Sequence, residues 1–357
     1  MHYQSEFAST ATGARVRFGG NARDVVAEEL ERLGARRALF LSTPGQVDRC
    51  QDFSNACGPF SAGVYAEARM HTPVDVTERA LDYALKVKAD CLVAIGGGST
   101  TGLSKAIAYR TDLPQLVVPT TYSGSECTPI LGQTEHGKKV TLKDPKVLPE
   151  VVVYDPELIA SLPVPMTVTS ALNAMAHAVE ALYAQDRNPV STMLAIEGLT
   201  TFVDALPAVI SSPHDLDARG RTLYGAWLCG TVLGQVGMAL HHKLCHTLGG
   251  TFDLPHAETH AIVLAHATAY NERAVPQLLA PVRTLFDSQS AAAGLYQFAR
   301  QVGAPQALRD IGLDENALDQ AAKLATQNTY WNPQPIAQAE IRRLLQSAWE
   351  GKPPGGY

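Results

Sequence analysis

Six of the chain's eleven histidines fall between residues 241 and 266: His241, His242, His246, His256, His260 and His266. His242 and His246 stand four apart in a helical pattern and so share a face. Gly249-Gly250 and Pro255 then predict a turn before His256. Upstream, Asn173 and His177 repeat the four-residue spacing, with Glu180 one turn beyond. Two helices that each present such a pair inward can build a metal site or a proton-transfer site inside a helical bundle. A single buried histidine is more often a hydrogen-bonded core residue than a ligand, but the density here shifts that reading for the set. His260 and His266 are expected to be structural, and His241 to point away from the site.

A second group of residues suits a phosphate-bearing ligand. Ile95-Gly96-Gly97-Gly98-Ser99-Thr100 follows a strand pattern and opens a helical one. Glycines there let backbone N–H groups approach a ligand, and a helix N-terminus favours an anion such as a pyrophosphate. The plainer reading is a tight turn with Ser99 or Thr100 as N-cap; three consecutive glycines exceed what a cap needs. The loop lacks the GxGxxG spacing of the Rossmann fingerprint and the GK[ST] ending of a P-loop. The stretch from Pro119 to Glu126 follows another strand pattern and carries three closely spaced hydroxyls, Thr120, Thr121 and Ser123, able to bond ribose and phosphate.

The elements that must position these residues change in kind along the chain. Before residue 160, short apolar runs (Arg37 to Leu41, Cys91 to Ile95, Leu116 to Val118, Val151 to Tyr154) alternate with helical patterns such as Asn21 to Leu33 and Ala80 to Lys88. That alternation predicts a mostly parallel sheet covered on both faces. Beyond Pro156, Pro163 and Pro165 the patterns are long, Ala/Leu-rich and helical. Ser191 would cap one such helix and Pro207 end it, and Ala321 to Gln327 forms another. The expected division is residues 1–160, an α/β cofactor-binding domain, and 161–357, an all-helical catalytic domain. The tail from Gly351 is expected to be disordered.

Composition excludes several roles. The 357 residues are 46% hydrophobic and 18% charged, with a formal charge of −6 and no Lys/Arg block, so phosphate-neutralising nucleic-acid binding is not expected. No stretch reads as a span of about 20 apolar residues and the N-terminus lacks an apolar leader pattern, so a cytoplasmic protein without a membrane partner is expected. Six cysteines show no CxxC spacing and do not suggest a disulfide scaffold.

As a set, these motifs resemble the iron-containing (group III) alcohol dehydrogenase superfamily, and within it the maleylacetate reductases. The resemblance spans nearly the whole chain. It rests on Gly96-Gly97-Gly98-Ser99, Pro119-Thr120-Thr121, Lys139 ahead of Asp144-Pro145-Lys146, and Asp155-Pro156-Glu157-Leu158. It continues through the Asn173/His177-Ala178-x-Glu180 helix, the stretch from His242 to His256-Ala257, and Asn332-Pro333-Gln334-Pro335. It implies a dehydroquinate synthase-like fold: a Rossmann-like α/β nicotinamide-binding domain, a helical domain and a cleft between them. Positions Ser42, Thr43, Gly97, Gly98, Ser99, Thr100, Thr120, Thr121, Ser123 and Lys139 would line the NADH or NADPH site. The metal-dependent branch holds its ion with an Asp and three His, at positions matching Asn173, His177, His242 and His256; His246 matches a histidine near the nicotinamide.

Two departures matter: Asn173 replaces the acidic ligand, and Gly102 replaces the usual Asp of the glycine loop. The maleylacetate reductases resemble this sequence in both, and share Leu-Ser-Thr-Pro at residues 41–44. An acidic residue after the first strand would favour NAD; Ser42-Thr43 there implies use of either cofactor. The resemblance therefore implies reduction of the carbon–carbon double bond of maleylacetate or its substituted forms to 3-oxoadipate, in aromatic catabolism by the β-ketoadipate route. It also implies a homodimer and no metal. His246 or His242 would donate the proton and His177 and His256 would orient the dicarboxylate, with Asn173 counted among the catalytic residues. The alternatives are a metal-dependent alcohol or polyol dehydrogenase that reduces a carbonyl, and a non-enzymatic metal-binding protein.

Overall fold

Four short runs buried at every position fix the centre of the first sheet: β2 (Ala38–Leu41), β4 (Cys91–Gly96), β5 (Gln115–Pro119) and β8 (Val151–Tyr154). Strands apolar on both faces must be covered on both faces, which is the parallel arrangement. The computed structural model describes residues 13–135, 138–327 and 330–355, without the side chains of Lys138 and Lys139. Its six-stranded sheet has the order β1-β8-β5-β4-β2-β3, every pair parallel, with β1 (Arg15–Phe18) and β3 (Ser61–Tyr65) at the edges. The helices α1 (Ala22–Leu33), α2 (Val47–Ala56), α3 (Val74–Lys86) and α4 (Gly98–Thr111) connect its strands. A separate antiparallel hairpin pairs β6 (Ile130–Glu135) with β7 (Lys138–Lys143). Helix α5 (Pro156–Ile159) closes this unit.

The described chain divides after Leu162. The second unit is helical throughout its described residues: α6 (Val164–Tyr183), α7 (Pro189–Ser211), α8 (Leu216–Gln235), α9 (Leu240–Phe252) and α10 (His256–Glu272), followed by α11 (Ala280–Leu285), α12 (Ala291–Gln301), α13 (Leu318–Ala325) and α14 (Gln338–Glu350). The largest apolar cluster described there joins α9, α10, α13 and α14 through Leu244, Leu248, Val263, Leu318, Ile341 and Leu345.

Several local expectations are corrected. Pro207 does not end α7, which runs on to Ser211, because Phe202, Leu206 and Val209 keep one buried face continuous across it. Packing there outweighs the one lost backbone bond. Ser191 is not the N-cap but the third residue of a capping box. Asn188 Oδ1 accepts from the Val190 and Ser191 N–H groups, and Ser191 Oγ accepts from the Asn188 N–H. Gly249-Gly250 lie inside α9, which ends at Asp253 in a left-handed conformation (φ 54°). Helix α7 is also long and apolar enough to cross a membrane by length and composition; here it packs between α6 and α8. Residues 351–355 are described, and Tyr296 Oη donates to the Gly351 carbonyl, so the start of the tail is held.

Candidate active site

In the first unit, the connections from β2 and from β4 leave in opposite directions along the sheet, β2 toward β3 and β4 toward β5. Ligands of open α/β sheets bind at such a switch, outside the carboxyl ends of the strands. Ser42-Thr43 follow one strand and Gly96 to Ser99 follow the other. Helix α4 begins at Gly98 with Gly97 as N-cap, so Ser99 and Thr100 lie within its first turn and neither is the cap. The Thr100 and Thr101 N–H groups return to the Gly97 carbonyl; those of Gly98 and Ser99 lie outside the helical ladder and are the donors an anion would meet. The Thr120 N–H donates to the Gly96 carbonyl, which brings the second loop alongside the first.

Close packing explains the glycines. A Cβ at Gly97 would stand 2.7 Å from Thr121 Oγ1 and one at Gly96 would fall on the Thr100 hydroxyl, whereas one at Gly98 would meet Ser123 Cβ at 3.5 Å, an ordinary contact. Thr100 is fully buried and fills the space beneath Gly96, while Gly97, Gly98, Ser99, Thr121 and Ser123 are half-buried. At Gly102, where the resemblance leads one to expect Asp, a Cβ would collide with the Thr72 hydroxyl; Thr72 itself sits at φ 47°. The β2 loop adds Gln46, which sequence reasoning missed: its Nε2 donates to Thr120 Oγ1 at 3.3 Å. Lys105, also missed, is buried at the centre of α4 and donates to the Thr128 and Ile130 carbonyls at 2.7 and 2.9 Å, pinning the far end of the Thr120–Thr128 loop. Burial pushes its pKa down to about 7. Lys139 lies in β7, with its side chain outside the described residues.

In the second unit, Asn173 and His177 on α6 and His242 on α9 are all less than one-tenth exposed, and the His177 and His242 rings lie 5.2 Å apart. His246 stands 6.1 Å from His242, and His256 stands 4.3 Å from His260 on α10. Asn173 Oδ1, His177 Nδ1 and His242 Nε2 are buried polar atoms without a partner among the described residues. Such atoms call for an explanation, and a polar ligand supplies one. His266 is buried six residues further along α10, and burial pushes its pKa down to about 4.

Glu180 organises this cluster. Its carboxylate accepts from the Ala239 N–H at 2.9 Å, the His241 N–H at 2.8 Å and His242 Nδ1 at 2.7 Å. Burial would raise the Glu180 carboxyl, but the His242 hydrogen bond and the imidazole charges outweigh it and hold it down to about 2. An ionised Glu180 accepts from His242 Nδ1 and so orients the ring, leaving Nε2 as the atom open to a ligand. Asn332 reinforces the arrangement: its Oδ1 accepts from the Leu240 N–H at 3.2 Å, and its amide donates to Asn271.

His241 does not face away from the cluster. Its Nε2 lies 3.0 Å from His260 Nδ1 and its ring 5.3 Å from that of His242, because α10 packs on the face of α9 one residue round from His242. Burial, reinforced by neighbouring imidazoles, holds His177 and His260 well below the ordinary histidine range and His241 down to about 3. These three are neutral near pH 7 and act by hydrogen bonding rather than as charged acids.

The donor set does not fit a resident divalent ion at the positions of the metal-dependent branch. Asn173 offers a neutral amide in place of a carboxylate. Among the described residues, the three His, Cys or carboxylate atoms found within 4.8 Å of one another belong to His241, Cys245 and His260, not to His177, His242 and His256.

The family model described as iron-containing alcohol dehydrogenase matches residues 13–156, and that described as the C-terminal part of the Fe-containing alcohol dehydrogenase family matches residues 167–349. The maleylacetate reductase of Rhizobium sp. (strain MTP-10005) is 57% identical over 348 residues, 98% of this chain and 99% of that protein. The maleylacetate reductase of Sphingobium indicum is 49% identical, covering 95% and 96%. Among solved structures, the crystal structure of maleylacetate reductase from Agrobacterium tumefaciens superposes with a TM-score of 0.96 at 56% identity, covering 98% of this chain and 100% of that one.

Proposed function

The chain belongs to the iron-containing alcohol dehydrogenase family, and from that premise we propose that it is an oxidoreductase that reduces the carbon–carbon double bond of maleylacetate, giving 3-oxoadipate. The bound nicotinamide supplies the hydride. The Gly98 and Ser99 N–H groups would hold its pyrophosphate, with Gly97 allowing the approach. Ser42, Thr43, Thr120, Thr121, Ser123 and Lys139 would line the rest of the site, and Thr100 would support the loop from beneath. Ser42 and Thr43, directly after β2, are not acidic and do not select a free ribose 2′-hydroxyl, which supports use of NADH and NADPH alike.

Hydride addition to the alkene carbon β to the ketone leaves an enolate whose charge must be met. His246 or His242 would donate to it, and Asn173, His177 and His256 would orient the two substrate carboxylates. One observation carries this reading: the buried atoms of Asn173, His177 and His242, unpartnered among the described residues, form a hydrogen-bonding set in which an amide stands where the metal-dependent branch places its acidic ligand. A conjugated enone needs less Lewis-acid help than an isolated carbonyl, so the proposed reaction uses no metal. We place the enzyme in the cytoplasm as a homodimer with a small dicarboxylate as its partner, free of nucleic acid and membrane.

The test is NADH oxidation with maleylacetate beside simple aldehydes, with and without chelator. Maleylacetate should be reduced, aldehydes should not, and the chelator should have no effect. Alanine at His242 or His246 should lower kcat by about 10²–10³ with little change in cofactor affinity. Aldehyde reduction that disappears with chelation would instead establish a metal-dependent alcohol dehydrogenase.

A further inference from the structure

We propose that His241, Cys245 and His260 form a buried site for a single borderline-to-soft cation, zinc or copper(I), distinct from the atoms assigned to the substrate. His241 and Cys245 lie one turn apart on α9, and α10 brings His260 against the same face. His241 Nε2 is 3.0 Å from His260 Nδ1 and 3.7 Å from Cys245 Sγ, and all three ligand atoms lie within 4.8 Å of one another. With metal–nitrogen bonds of about 2.0–2.1 Å and metal–sulfur bonds of about 2.3 Å, ligand atoms in a trigonal or tetrahedral site stand about 3.3–3.8 Å apart. Small side-chain movements therefore admit the ion between them.

The donor chemistry selects the ion. One thiolate and two imidazoles suit zinc or copper(I) and are poor partners for magnesium, calcium or manganese, which prefer oxygen. Each side chain is only 1% exposed, so little water competes for the donors. A hydrogen bond between the two imidazoles is the metal-free state of the same pair, and it gives the thiol only a weak contact with His241 Nε2. On binding, the Cys245 S–H bond breaks, its proton passes to solvent and the sulfur–metal bond forms, with no change of oxidation state. Both imidazoles then ligate as neutral rings, with their protons on His241 Nδ1 and His260 Nε2. His242 Nε2, His177 Nδ1 and Asn173 Oδ1 are not used, so the site is independent of the metal-free reaction proposed above.

The test uses the full-length protein, stripped with chelator and kept reduced. Titration with cobalt(II) should give a thiolate-to-cobalt charge-transfer absorption that saturates at one ion per chain, with about one proton released. Equilibrium dialysis should give one zinc per chain, and X-ray absorption of that zinc should show one sulfur and two nitrogen ligands. Cys245→Ser should abolish the cobalt band, His260→Gln should weaken zinc binding at least tenfold, and Asn173→Ala should leave both unchanged. The absence of saturable binding in the unmodified protein, or a sulfur-free zinc environment, would overturn the site. So would a band that persists in folded Cys245→Ser. The X-ray absorption result decides the matter even if a variant fails to fold.

Discussion

Asn173 governs what the imidazoles around it are free to do. A neutral amide leaves His177 and His242 with unpartnered nitrogens instead of drawing them toward a cation. Asn173→Asp restores an anionic oxygen at that point. It should raise affinity for divalent iron or zinc at His177 and His242 and lower maleylacetate turnover, measured by metal titration and steady-state kinetics on the same preparation. At the cofactor loop, Gly98 and not Gly97 is the informative position, because a Cβ at 98 meets Ser123 only at an ordinary distance whereas one at 97 collides with Thr121. Gly98→Val should therefore raise the Michaelis constant for NADH by about 10–100-fold, the loss of one or two charge-assisted hydrogen bonds, with the melting temperature held. An unchanged constant in the folded variant would remove the pyrophosphate from this loop. The histidines were legible in the sequence because residue type and four-residue spacing announce them. His241 and Cys245 were not, because the direction a neighbouring residue faces depends on which helix packs beside it.

Helix α9 owes its start to side chains from elsewhere in the chain. Its N-cap, Ala239, offers no side-chain oxygen, and the first N–H groups are taken by Glu180 of α6 and by Asn332. Glu180→Gln keeps the shape but presents an amide N–H where backbone donors converge, and it removes the charge facing His242. The expected cost is about 3 kcal/mol or more of unfolding free energy, read by denaturant titration, together with a fall in kcat. A variant of normal stability would show that the carboxylate is not what fixes α9. Elements of this kind divide sharply in legibility. The buried strands β2, β4, β5 and β8 are visible as continuous apolar runs. Strands β1 and β3 and the β6–β7 hairpin are not, since half-exposed edges and polar hairpins carry a weak pattern. Pro207 and Gly249-Gly250 misled for one reason: tertiary burial of a face overrides a local breaker.

For the molecule as a whole, burying several neutral imidazoles sets its response to acid. His241 and His266 keep pKa values of about 3 and about 4, and His177 and His260 also lie well below the usual 6.5. Below about pH 6.5 the unfolded chain binds protons that the folded chain refuses. Each such group then removes about 1.4 kcal/mol of stability per pH unit until its folded pKa is reached. Glu180 acts in the same direction lower down: its contribution is full above about 4.5 and is lost as pH falls toward about 2. The melting temperature should therefore drop steeply between pH 6.5 and 4.5, before most carboxylates titrate; a flat profile over that range would show that the histidines are not held neutral. The dependence of α9 on Asn332 has a further consequence, for biosynthesis. A nascent chain emerges from the ribosome carrying every histidine of the cluster well before residue 332 follows. Through that interval Leu240 lacks its partner, and the site exists as a set of residues without a frame. The start of α9 thus waits on a C-terminal segment that contributes none of the proposed catalytic groups; the same segment carries α14 and its part of the apolar core, so a message truncated just before that codon would lose packing together with the Asn332 contact.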